Sequence, residues 1–114
     1  MRVELLYWDG DPHYMAARQN LVEVLNEDAF ETTIQMIAVN SDDDAEYLEF
    51  VGSPTIRIDG EDVLSAIGRY EGHEDGFGLR RRDYPADDGQ GRAPVPGKGL
   101  IRRAIESARG WAHG

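Results

Sequence analysis

Tyr7-Trp8-Asp9-Gly10-Asp11-Pro12-His13-Tyr14 joins an apolar run to an amphipathic one. Upstream, Val3, Leu5, Leu6, Tyr7 and Trp8 are strand formers, so Arg2 to Trp8 reads as a buried strand. Downstream, Met15, Ala17, Leu21, Val22, Val24 and Leu25 recur near helical spacing and predict a helix to about Glu27. Asp9-Gly10 breaks the strand. Asp11 is suited to cap the helix, and Pro12 to its first position, where a missing N–H costs nothing. A strand passed through a short turn into a helix N-terminus marks an α/β protein.

Further along, Thr32 to Val39 reads as a second strand, with Ile34, Met36, Ile37 and Val39 as its apolar content. Ser41-Asp42-Asp43-Asp44 resembles a capping box, and its acids favour a helix N-terminus through the dipole. A calcium loop is the weaker reading, because such ligands alternate and need a later Glu. Tyr47, Leu48, Phe50 and Val51 are expected to form the buried face of this short helix, and Gly52 to end it. Thr55 to Ile58 is a third strand; Asp59-Gly60 turns it, and Val63 to Ile67 is expected to complete the hairpin. Residues 68–97 hold seven of the 13 glycines and three of the five prolines, a long Gly/Pro-rich loop. Loops of that length tend to be functional or partly ordered. Leu100, Ile101, Ala104, Ile105 and Ala108 trace one face of a final helix over 98–110. The order β-α-β-α-β-β-α predicts a small mixed four-stranded sheet with helices on both faces.

With 114 residues, the expectation is a single domain, 1–114, with one modest core. The N-terminus has Glu4 where a signal peptide needs an apolar run, and no apolar stretch reaches membrane-spanning length. A cytoplasmic location is the default expectation. The absence of cysteine removes disulfides, thiolate nucleophiles and cysteine-ligated metal centres. A net charge of −10 argues against nucleic-acid and anionic-membrane partners. Residues 1–79 carry −14, with 18 acids and 4 Lys+Arg, whereas residues 80–114 carry +4, with 4 acids and 8 Lys+Arg. A basic tail packed on an acidic body accounts for this split. An anion-binding patch at Arg80-Arg81-Arg82 with Arg69 is the alternative.

This element order and two local features resemble the thioredoxin-like superfamily. The Asp-Gly-Asp-Pro-His-Tyr junction is similar to the active-site turn that carries a cysteine at the helix N-terminus. Gly52-Ser53-Pro54-Thr55 is similar to the loop carrying the family's cis-proline. The chain looks closer still to short, uncharacterised bacterial thioredoxin-like proteins. Their pattern resembles Leu-Leu-Tyr-x-Asp-Gly-Cys-Pro, Gly-Ser-Pro-Thr-Ile-x-x-Asp-Gly and Gly-Leu-x-Cys-Arg-x-Tyr. The resemblance covers residues 2 to 110. It makes Asp11 and Arg81 the positions from which two cysteines are missing, and Tyr14 the second position of a CxxC. A carboxylate exchanges no disulfides, so thiol–disulfide oxidoreduction and cysteine-based organomercury cleavage are excluded.

The resemblance implies a candidate groove of Trp8, Asp11, His13, Tyr14, Ser53, Pro54, Thr55 and Arg81. In the family, the backbone of the residue before the cis-proline, here Ser53, pairs with an extended peptide or glutathione, and such pairing needs no cysteine. If both cysteine positions lie together, Asp11 and Arg81 are expected to form an ion pair in their place. Tyr7, Trp8 and Tyr14 either line this groove or belong to the core. Asp9, Asp11 and His13 alternate along the turn, but with three scattered histidines in the chain no metal and no cofactor is expected. The expectation is a redox-inactive module that binds a protein or peptide. The alternative is an enzyme using a bound small thiol such as glutathione, or Asp11 and His13 chemistry. A third is a subunit of a larger assembly with no small ligand.

Overall fold

A computed structural model describes residues 1–27, 32–66, 68 and 76–109. Arg69, His73, His113 and the end of the expected strand at Ile67 lie outside the described residues. The chain is α/β. Four strands, β1 (Val3–Tyr7), β2 (Ile34–Ala38), β3 (Thr55–Ile58) and β4 (Glu61–Asp62), form one mixed sheet in the order β2-β1-β3-β4. The central β1 runs parallel to β2, with Leu5 opposite Met36, and antiparallel to β3, with Leu5 opposite Ile56. The parallel pair is joined through helix α1 (Tyr14–Glu27), as a crossover requires. Asp59 and Gly60, both at positive φ, make the tight turn between β3 and β4.

The two faces of β1 sort the core. Val3 and Leu5 point to one side, where they pack with Ile56 and Ile58 of β3. Leu21, Val24 and Leu25 of α1 and Ile101, Ala104 and Ile105 of α4 (Lys98–Ala108) cover that side. Leu6 points the other way and packs with Val39, Phe50 and Ala45 of α2 (Asp42–Leu48). Helices therefore cover both faces of the sheet.

Four sequence expectations need correction. Helix α1 begins at Tyr14, because Pro12 and His13 form a turn ahead of it. Helix α2 ends at Leu48, and it is the C-cap Glu49, three residues before Gly52, that takes the left-handed conformation (φ 54). Its Tyr47 is 87% exposed, since the burial of Phe50 and Val51 comes from the loop after the helix. Finally, Val63–Ala66 is the helical turn α3, not a strand. The Asp62 carboxylate accepts the Leu64 N–H at 2.9 Å, turning the chain away from the hairpin after two residues of β4.

The segment expected as a loop over 68–97 contains a further hairpin, β5 (Tyr84–Pro85) with β6 (Arg92–Ala93). In the loop between these two strands, Asp87 accepts the Gly99 N–H at 2.9 Å and the Leu100 N–H at 3.3 Å. It thereby caps α4, whose N-cap residue Gly97 has no side chain to do so. Helix α4 is also tied to α1 by Lys98–Glu23 and Arg102–Glu27, each at 2.8 Å. Basic side chains of the C-terminal third thus neutralise acids of the body, as the charge split suggests.

Candidate functional site

The Asp11 turn and the Ser53-Pro54 loop meet at the end of β1. Asp11 is 1% exposed, and both of its carboxylate oxygens are engaged. Oδ1 accepts the His13 backbone N–H at 2.9 Å, and Oδ2 accepts the Ser53 hydroxyl at 2.8 Å. The same hydroxyl oxygen accepts the Trp8 N–H at 3.0 Å. Ser53 therefore links the end of β1 to the Asp11 carboxylate across 42 residues of sequence; that carboxylate closes the turn onto His13 and does not cap α1 itself, as the sequence suggests, because the helix starts three residues later. The Ser53–Pro54 peptide is cis. Trp8 is half-buried and packs in the second core cluster with Leu6 and Phe50. Its ring lies over Gly10, where a Cβ would come within 2.2 Å of it, so only glycine fits there. Tyr14 stacks on Tyr7 with ring centroids 4.3 Å apart.

The segment after the glycine-rich stretch closes over this loop. Ser53 N–H donates to the Arg80 carbonyl at 2.8 Å, and Arg82 N–H donates to the Ser53 carbonyl at 2.9 Å. This is a parallel β-bridge between Ser53 and Arg81. It corrects the expected open groove: both backbone groups of Ser53 are already paired, within the chain itself. Along 81–84 the residues alternate, Arg81 and Asp83 exposed, Arg82 and Tyr84 buried.

Arg82 anchors the segment. Its Nη1 meets Asp62 Oδ2 at 2.6 Å, Tyr84 Oη at 3.2 Å and Thr55 Oγ1 at 3.3 Å. The Tyr84 hydroxyl in turn donates to the Pro54 carbonyl. Burial pushes the Tyr84 phenol well above its ordinary pKa of 10, so it stays a donor. Burial opposes the charge on Arg82, but the facing Tyr84 and Asp62 outweigh it and raise its pKa. Arg82 Nη2 is buried and has no hydrogen-bond partner.

The expected anion patch is thus divided three ways. Arg80 Nη1 turns back to the Gly76 carbonyl at 2.8 Å and the Val51 carbonyl at 3.4 Å. Arg82 points inward, and Arg81 alone points out. The expected Asp11–Arg81 ion pair does not form among the described residues, because Ser53 and His13 take both carboxylate oxygens. Both residues nevertheless line one cleft of about 330 Å³, together with His13, Arg82, Asp83 and Pro94.

Of the eight sequence-derived candidates, the structure therefore brings Asp11, His13 and Arg81 to that cleft. Ser53, Pro54 and Thr55 are buried behind it. The Thr55 hydroxyl is spent on the Gly52 carbonyl at 2.6 Å. Trp8 and Tyr14 serve packing. Asp83, Pro94 and the buried Arg82–Asp62–Tyr84 cluster escaped the sequence reading; an outward–inward alternation over 81–84 was the available signal. No family model, curated protein or solved structure matches the chain.

Proposed function

We propose that the chain is a redox-inactive, thioredoxin-like binding module whose ligand surface is the Asp11–His13–Arg81 cleft. The strand order, the crossover through α1 and the meeting of the Asp11 turn before α1 with the Ser53-Pro54 loop support the likeness. One observation carries the functional reading. At the position where the resemblance expects a nucleophile there is a carboxylate, buried and with both oxygens hydrogen-bonded. Such a group is neither a thiolate nor a free general base, which removes support from Asp11 and His13 chemistry as well.

Self-pairing at Ser53 moves the reading away from peptide addition at that edge. A peptide would have to displace a segment held by a buried ion pair. What stays open is the outward face of that segment and the cleft beside it. Insulin reduction with dithiothreitol as electron donor is the test of the redox claim, and no stimulation above the dithiothreitol background is expected. Clear stimulation would overturn it. For the binding surface, NMR shifts on titration with reduced glutathione and S-methylglutathione test the thiol alternative, which requires a response that depends on the free sulfur.

A further inference from the structure

We propose that this cleft takes a small zwitterion, with the charge pattern of a free α-amino acid. The inference rests on the binding reading above. Its basis is the charge arrangement of the walls.

Arg81 and Asp83 sit two residues apart on an extended segment, and both are exposed on its outer side. Two residues along a strand span roughly 6–7 Å, so their flexible side chains reach one small ligand together. Among the described residues, neither side chain has an ion pair or a hydrogen bond. Their charges are therefore uncommitted, unlike those of Arg82, Glu23 and Glu27. Arg81 offers a forked donor suited to a carboxylate. Asp83 offers an acceptor suited to an ammonium. His13, Pro94, Asp11 and Arg82 line the rest of the cleft, the Arg82 charge already being paired with Asp62.

Charge sign narrows the ligand class. A simple anion on Arg81 meets repulsion from Asp83 and from the buried Asp11. A simple cation on Asp83 meets Arg81. A ligand carrying both charges on groups attached to one carbon satisfies both walls at once, and about 330 Å³ gives room for an amino acid but not for a folded partner.

The test is an amide NMR titration of the full chain with glycine, L-alanine and L-serine, against N-acetylglycine and glycinamide. The last two keep only the carboxylate or only the ammonium. Saturable shifts at His13, Arg81 and Asp83 with at least one free amino acid are expected, weakened about tenfold or more in each blocked probe. Arg81→Gln and Asp83→Asn should each weaken binding to a similar degree while leaving the unfolding midpoint unchanged, since both side chains are exposed. Equal response to blocked and free probes would overturn the zwitterion assignment while leaving the cleft a binding surface. Absence of a saturable response to all five probes would overturn the assignment too. The insulin and glutathione arms would still judge the redox and thiol readings independently.

Discussion

Arg82 Nη1 lies 2.6 Å from Asp62 Oδ2, with both side chains more than nine-tenths buried. This pair fixes the segment after the glycine-rich stretch to the end of the β3–β4 hairpin, and through Thr55 and Tyr84 it also holds the Pro54 loop.

Removing one charge of the pair should be costly. Arg82→Met leaves Asp62 ionised and uncompensated in the interior, at an expected loss of about 3–5 kcal/mol in urea unfolding. Adding Asp62→Asn to it should recover much of that loss, because the side-chain amide is uncharged and its oxygen still accepts the Leu64 N–H. The unsatisfied Nη2 of Arg82 shows that the native pairing is itself incomplete. A double variant as unstable as the single one would refute this account.

Ser53→Ala leaves the Trp8 N–H and one Asp11 oxygen without their partner. The expected cost is about 1–3 kcal/mol, the penalty for stranding buried polar groups. A double-mutant cycle with Asp11→Ala should show coupling of about 1 kcal/mol or more. Additive effects would mean that the bond contributes nothing of its own.

Acid should loosen the contact between α1 and α4. Hydrogen bonding to Lys98 lowers the pKa of Glu23 below its ordinary 4.5, and Arg102 does the same for Glu27. A carboxylate whose folded pKa is depressed contributes its stability above the unfolded value and loses it as pH falls through the folded one. The wild-type advantage over a Glu23→Gln/Glu27→Gln variant should therefore be present at neutral pH, begin to fade as pH falls below the ordinary 4.5, and vanish once pH is below the depressed folded values. Thermal melts of both proteins across that range measure it. An advantage persisting in strong acid would contradict the assignment.

Gly52→Ala tests the closeness of the covering segment. A Cβ at Gly52 would lie 2.8 Å from Arg82 Cβ and 3.3 Å from the Arg81 carbonyl oxygen, at a φ of +154. The expected cost is about 1–3 kcal/mol, from overpacking. The amide resonances of Arg81 and Asp83 should shift with it. An unchanged spectrum would mean that the segment does not sit on Gly52.

Much of this architecture is legible in the sequence because it rests on local rules. The apolar run of β1, the Asp59-Gly60 turn and the helical spacing from Leu100 to Ala108 each carry their own signature. The misreadings have local causes too. Val63 and Leu64 look like strand residues, but the side chain of Asp62 starts a helical turn there. Strands β5 and β6, two residues each, are too short for any periodicity, and Pro85 argues against them. The site was less legible. Asp11 and Ser53 both stand out in the sequence, yet nothing in either local pattern says that one donates to the other. Likewise, three consecutive arginines read as one basic patch, whereas an extended backbone sends neighbours to opposite sides.

The bond from the Trp8 N–H to Ser53, with the indole packed over Gly10, gives the site a built-in optical probe. The chain has only two tryptophans, Trp8 and Trp111. In a Trp111→Phe background, tryptophan fluorescence would come from Trp8, beside the Asp11 turn, alone. Its emission wavelength would follow the solvation of that turn, and hydrogen exchange at its backbone amide would time the opening of the Ser53 contact. Occupancy of the cleft and loosening of its wall could then be separated in one sample, without attaching any label.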